Sequence, residues 1–176
     1  MNVYLTGGIH NRRKLISLSD KTRPTSQIVR EAVFNMIQVH GVILDLFSGS
    51  GLYGLEAISR GASLCYFNDN NPLAYNAIKK NIATLKEQDK AKVFKLDYNQ
   101  FLDSHQDSHF DFIFIDPPYA FSDQAINTLL KRLAHYNATI ILERHKSAQT
   151  PIIDDLSLIK EKTYGIKKIA IYERII

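Results

Sequence analysis

From Val42 onward, short apolar runs alternate with stretches of helical period, the pattern of a parallel sheet wrapped by crossover helices. The strands it predicts are Val42 to Leu46, Ser63 to Asn68, Lys92 to Leu96, Asp111 to Ile115 and Thr139 to Glu143. Between them, Asn70 or Asn71 caps a helix over Pro72 to Leu85, and Ser122 or Asp123 starts one reaching His135. Ahead of this repeat, Val3 to Thr6 and Lys14 to Leu18 read as a two-stranded element around a polar turn, Gly7 to Arg13. A helix follows, capped by Thr25 or Ser26 after Pro24, with Ile28, Val29, Ala32, Val33, Met36 and Ile37 as its apolar stripe and Gly41 as its end. At the other terminus, Leu156 to Thr163 and Lys167 to Ile175 flank Gly165 as an antiparallel hairpin.

Length and composition fit one core: 176 residues, 45% hydrophobic and 23% charged. No apolar run approaches the roughly 20 residues of a membrane helix, and the N-terminus lacks a secretory pattern, so a cytoplasmic protein is expected. The single cysteine, Cys65, excludes an internal disulfide framework and a cysteine-based zinc site, and reads as a core thiol. The net charge of +4 is unevenly spread. Arg12, Arg13, Lys14, Lys21, Arg23 and Arg30 face only Asp20 and Glu31 in the first 40 residues, and the rest of the chain balances. That is the footprint of an arm on phosphates or of a solvated face, and charge alone does not choose. Asp103, His105, Asp107 and His109 alternate in what reads as a solvated loop, and no metal is expected.

Two motifs carry chemistry. The first runs off the leading core strand as Asp45-Leu46-Phe47-Ser48-Gly49-Ser50-Gly51, with Gly54 completing G-x-G-x-x-G. Such glycines turn the backbone tightly and admit a ligand to the main chain. Asp45 would repel a pyrophosphate and suits a ligand with positive charge, although a plain strand-to-helix turn with Asp45 as cap gives the same letters. Asp69, after the second strand, can accept from both hydroxyls of a ribose or cap the following helix, and Asp97 stands in a similar place after the third strand.

The second motif is Asp116-Pro117-Pro118-Tyr119, directly after Phe112-Ile113-Phe114-Ile115. Two prolines fix φ and present carbonyls without adding donors, so the Pro117 carbonyl and the Asp116 carboxylate become two acceptors for one amino group. A nucleobase amine is a poor nucleophile because its lone pair is delocalised. Holding both hydrogens favours pyramidal nitrogen, whose lone pair can attack an electrophilic methyl in line. Tyr119 supplies a face for an unstacked base.

In this order the motifs resemble the S-adenosylmethionine-dependent methyltransferases that modify exocyclic amines. Arg12-Arg13-Lys14-Leu15, Thr22 to Ser26, Val29 to Ile37, Gly54 to Ala62 and Lys80-Asn81 are similar to the RsmD-type bacterial 16S rRNA guanine-N2 methyltransferases. The resemblance implies a Rossmann-like class I methyltransferase fold, with a mostly parallel seven-stranded sheet, a C-terminal antiparallel hairpin and a basic N-terminal extension over residues 1 to 40. The methyltransferase domain would span 41 to 176. Asp45, Leu46, Phe47, Ser48, Gly49, Ser50 and Gly51 would surround the methionine part of S-adenosylmethionine, Asp69 would bind its ribose and Asp97 would lie near its adenine, with Asn70 and Tyr98 also at the donor. Asp116, Pro117, Pro118 and Tyr119 would hold the target guanine, and Arg12, Arg13, Lys14, Arg23 and Arg30 would meet RNA. Asp69 stands where this family usually has Glu, and Asn71 where it often has Asp, which implies weaker donor binding. The implied partner is 16S rRNA within the 30S subunit, met by a monomer.

Competing readings are a methyltransferase for DNA bases or protein glutamine, an NAD-dependent oxidoreductase and a non-catalytic RNA-binding domain. Only nineteen residues separate Tyr119 from Thr139, too few for a DNA-reading module. A glutamine modifier has no need of the basic arm, and an oxidoreductase leaves Asp116 to Tyr119 without a purpose. Glu143 ends the fifth strand near the expected cleft, where it can position the substrate or the helix after Ser26, and Arg23 or Arg30 can pair with it or bind phosphate.

Overall fold

The structure is a computed structural model that describes residues 2–18 and 24–176. Strands β1 (Asn2–Tyr4) and β2 (Lys14–Ile16) pair antiparallel with Val3 opposite Leu15, and α1 (Pro24–Met36) follows. The main body runs β3 (Val42–Asp45), α2 (Leu52–Ser59), β4 (Leu64–Asn68), α3 (Pro72–Leu85), β5 (Ala91–Phe94), α4 (Tyr98–Ser104), β6 (Phe112–Ile115), α5 (Asp123–Leu133) and β7 (Thr139–His145). The hairpin β8 (Leu156–Tyr164) and β9 (Lys167–Arg174) closes it.

These strands form one seven-stranded sheet in the order β5-β4-β3-β6-β7-β9-β8, parallel through β7 and antiparallel at β9 and β8. The order reverses between β3 and β6, the switch point where a doubly wound sheet opens a crevice at its carboxyl edge. This is the Rossmann-like methyltransferase sheet that the resemblance implies.

β6 shows why the strands are so apolar. Phe112 and Phe114 join Ile43, Leu55, Ile58 and Phe67 on one face, while Ile113 and Ile115 join Leu44, Phe101, Ile126 and Leu129 on the other. With helices on both faces, alternation disappears and all four positions are buried. Val3, Leu5, Leu15, Val29, Val33 and Phe34 belong to the first cluster, so the N-terminal hairpin and α1 share its core.

The expected strand ends are shifted by no more than two residues. Asn71 and Ser122 cap α3 and α5, accepting from Leu73 N–H at 2.9 Å and Ala125 N–H at 3.1 Å. Three readings change. α1 already begins at Pro24 and ends at Met36, so Thr25 and Ser26 sit within its first turn. Its inward stripe is rotated: Ile28 is 56% exposed, while Arg30 and Phe34 are buried beside Val29 and Val33. The cause is Glu56, fully buried on α2, which draws Arg30 inward. The third change is α4, a seven-residue helix that takes Asp103 out of the loop expected from Asp103 to His109. Asp97 caps it by accepting from Asn99 N–H at 2.9 Å. His105 stacks on Phe101 at 4.0 Å and Asp103 pairs with Arg132 at 2.7 Å. Seven residues are too few to show a period.

Candidate functional site

The glycine loop is built from below. Ser48 Oγ donates to the Asp45 carbonyl at 2.6 Å and accepts from Asn68 N–H at 3.0 Å, joining the ends of β3 and β4. Buried Asn68 donates to the Leu96 carbonyl and accepts from Leu96 N–H, which brings in the end of β5. The glycines act differently. Gly51 caps α2 at φ 85°, a left-handed conformation that disfavours side chains. A Cβ on Gly54 would lie 2.3 Å from the Phe67 ring and 2.7 Å from Cys65 Sγ, so only glycine lets α2 sit this close to β4. A Cβ on Gly49 would meet nothing within 4 Å, because it would project into open space.

That space is a cavity of about 280 Å³. Phe47, Ser48, Gly49 and Ser50 form its floor, Asp69, Asn71 and Ala74 one wall, Asp116, Glu143 and Tyr53 another, and Ser17, Leu18 and Arg30 close it from the N-terminal segment. Asp69 holds its place by accepting from Gly49 N–H and Asn71 N–H, each at 2.9 Å, which leaves further acceptor capacity on both oxygens. Asp45 lies beneath the loop, 2% exposed, accepting from Gly54 N–H at 3.1 Å. Burial pushes its carboxyl up to about 7, against the pull of the Gly54 N–H and with help from the charges of Asp116 and Asp69. Burial likewise pushes the Tyr53 hydroxyl well above its ordinary range, and Glu143 and Asp116 push the same way. It is therefore a neutral donor at the cavity wall.

A second cavity, about 400 Å³, opens on the other side of Asp116. Pro117, Pro118, Tyr119, Phe121, Arg144 and His145 line it, and Asp116, Glu143 and Lys167 belong to the walls of both. The Pro118 carbonyl accepts from Phe121 N–H at 3.1 Å and closes the turn. Pro117 is buried, whereas Tyr119 is 81% exposed with its ring 6.2 Å from that of His145.

The expected site residues therefore divide. Phe47, Ser48, Gly49, Ser50, Asp69 and Asp116 meet in one cavity, and Asp116 to Tyr119 frame the next. Asp45, Leu46, Gly51, Asn70, Asp97 and Tyr98 line neither: Asp45, Leu46 and Gly51 are buried, Asn70 is exposed one residue before Asn71, which takes the wall, and Tyr98 packs 5.4 Å from Phe47. Arg30 needs correction as an RNA contact. It is 4% exposed, its Nε lies 3.3 Å from Glu56, and it donates to the Tyr4 carbonyl, so its guanidinium is committed inside the fold. Arg12, Arg13 and Lys14 are exposed, and Arg23 lies outside the described residues. Sequence reading missed Asn71 as a cavity residue, Tyr53, Lys167 and Ser17. Tyr53 had a signal in its place beside Gly54, but nothing local marks Lys167 or Ser17.

Among the described residues, no group of three His, Cys, Asp or Glu side chains is placed to hold a metal. No helix among them is long and apolar enough to cross a membrane.

Comparison with known proteins gives this geometry its setting. A family model described as conserved hypothetical protein 95 matches residues 3–173. The ribosomal RNA small subunit methyltransferase D of Haemophilus influenzae is 36% identical over 180 residues, covering 97% of this chain and 93% of its own. Its counterpart in Escherichia coli is 33% identical over 181 residues, covering 98% and 90%. The solved structure of yhhF from Escherichia coli is similar throughout, with a TM-score of 0.81, 28% identity and coverage of 99% and 98%. With its glycine loop as the floor of a cleft and Asp116 on the wall, the chain belongs to the conserved hypothetical protein 95 family and is a methyltransferase.

Proposed function

We propose that the protein transfers a methyl group from S-adenosylmethionine to the exocyclic N2 amine of a guanine in 16S rRNA, acting as a monomer on the small ribosomal subunit. One observation carries the reading: two cavities, one floored by the glycine loop and one framed by Pro117, Pro118 and Tyr119, share Asp116 as a wall. A donor and a target base in these cavities would face each other across that carboxylate. The names of the full-length relatives favour ribosomal RNA over DNA or protein as substrate.

The residues fit the donor. The space beside Gly49 is open, Asp69 offers acceptors for a ribose diol, and Asp69, Asp116 and Glu143 outnumber Lys167 on the cavity walls, which suits a cationic ligand. When bound, the donor supplies a methyl carbon activated by its sulfonium. Alignment is then the protein's task. Asp116 and the Pro117 carbonyl accept from the guanine amino group, which concentrates its lone pair on nitrogen. The Asp116 carboxylate holds the departing proton, and Tyr119 carries the base on its exposed ring. Arg12, Arg13 and Lys14 lie on the exposed turn of the β1–β2 hairpin, where phosphates are reachable.

The test is to incubate the protein with S-adenosylmethionine and under-methylated 30S subunits, and in parallel with naked 16S rRNA, then to analyse the nucleosides by mass spectrometry. N2-methylguanosine is expected from the subunits. Asp116→Ala should lower transfer about 100-fold or more while sparing RNA binding. A digest without N2-methylguanosine, from protein that binds the donor, overturns the assignment.

A further inference from the structure

Residues 72 to 95 carry six lysines against Glu87 and Asp89, an imbalance hidden by the neutrality of the chain beyond residue 40. The fold sharpens it. Glu87 is buried, 2.7 Å from His10 and 3.6 Å from Lys90, which removes one of the two acids from the surface. Five of the six lysines are exposed, and α3 adjoins the basic turn of the N-terminal hairpin. Arg13 donates to the Thr84 carbonyl at 3.0 Å in the last turn of α3. Asn81 exchanges hydrogen bonds with the Ile16 N–H and carbonyl, each at 2.9 Å, so β2 is fastened along α3. Lys80 stands one turn before Thr84, next to that seam. Lys79 lies beside it, 5.1 Å from the centre of the Tyr75 ring, and Lys95 reaches the same ring at 5.8 Å from the end of β5.

Taking the rRNA reading above as its basis, we propose that Arg12, Arg13, Lys14, Lys80, Lys79 and Lys95 form one docking surface for an RNA backbone. All six are exposed. From Tyr75 to Thr84 the face extends about 14 Å along α3, at 1.5 Å per residue, long enough for more than one phosphate. The Tyr75 ring holds two ammonium groups in place and lowers the entropy lost when they meet phosphates. Charge complementarity selects the occupant: a polyanion releases counterions from such a face, which an uncharged partner cannot do. Asn71 and Ala74 at the start of α3 line the donor cavity, so this helix joins the surface to the site. The bound nucleic acid thus extends past the β5 edge of the sheet, well beyond the hairpin.

Binding of a 16S rRNA fragment and of 30S subunits should be followed by fluorescence anisotropy against potassium chloride. The wild type is compared with K79Q/K80Q/K95Q and with K131Q/K160Q/K162Q, which removes the same charge from exposed positions elsewhere. The first variant should bind RNA about ten-fold more weakly or worse. Its log-affinity against log-salt slope should be shallower by about 2, from three contacts at about 0.7 each. Donor affinity and kcat at saturating RNA should be unchanged, with KM raised. An unaltered slope, or an equal loss in the control variant, overturns the surface. If the wild type binds RNA with a steep slope and K79Q/K80Q/K95Q flattens it, but no methyl is transferred, the surface stands and the proposed activity falls. If the wild type does not bind RNA, both fall.

Discussion

The proposed donor site predicts that Asp45 couples donor binding to pH. Raising its carboxyl from 3.8 to about 7 means that holding the charge there costs about 4 kcal/mol more than in water, at 1.36 kcal/mol for each tenfold. The folded protein without donor therefore binds a proton that the unfolded chain has released. The stability that Asp45 contributes is complete below about pH 4 and is lost as the pH rises through about 7. A cationic donor reverses the preference, because positive charge above the loop favours the carboxylate. Binding then expels a proton, and affinity should climb with pH up to about 7. The ionised share of Asp45 goes from about 3% at pH 5.5 to about 24% at pH 6.5, so affinity should rise roughly eight-fold over that interval. Asp45→Asn keeps an acceptor for Gly54 N–H and removes the titration. Calorimetric titration with S-adenosylmethionine, in two buffers of different ionisation enthalpy, reads both affinity and proton release. A wild type whose affinity is flat across this window, or an Asp45→Asn variant that keeps the slope, would refute the coupling.

Two further changes test how the site is supported. Gly54→Ala forces a methyl group against Phe67 and Cys65, both fully buried, and should cost about 2 to 3 kcal/mol in urea unfolding, with weaker donor binding because the Asp45 contact shifts. Glu56→Gln leaves Arg30 buried without its counter-charge and should cost about 3 to 5 kcal/mol, part of which Arg30→Met in the same chain should recover. A loss below 1 kcal/mol in the first comparison would mean that Arg30 finds another partner.

Much of the sheet was legible because burial on both faces leaves an uninterrupted apolar run such as Phe112 to Ile115, and turn residues mark its ends. The two loops of the site were legible for a related reason: glycine and proline restrict the backbone in ways that other residues do not. What escaped depends on partners distant in sequence. Arg30 and Ile28 look like an outward charge and an inward aliphatic until α2 places Glu56 beside Arg30, 26 residues further on. Lys167 reaches the cleft only because β9 inserts antiparallel beside β7, opposite His145. Charge by segment misled in the same way. Some of the acids that neutralise the body are drawn into or beneath the cleft, at Asp45, Asp69, Asp116 and Glu143, while lysines from the same stretch lie outside on α3 and β5.

α2 ties these parts together. Its first residue follows Gly51, so any displacement of the helix moves the loop under the donor cavity. Its far end grips the N-terminal hairpin. Thr6 N–H donates to both oxygens of Glu56, at 2.9 and 3.1 Å, and Ser59 Oγ donates to the Gly7 carbonyl at 2.6 Å while accepting from His10 N–H. Gly8 comes so close that a Cβ there would strike the Ser59 carbonyl. The segment after β2 is also attached to the loop directly, through Leu18 N–H on Ser50 Oγ at 3.0 Å, and Asn81 of α3, which holds Ile16, donates to the Ser50 carbonyl at 3.0 Å. A turn carrying Arg12 and Arg13 thus rests on the same helix that sets Gly51, Gly54 and Asp45. Buried hydrogen bonds of this kind, satisfied at both ends, hold one geometry instead of a range. The hairpin's position is therefore fixed relative to the donor loop, so an RNA backbone docked on it would stand at a set distance from the cleft where Asp116 waits.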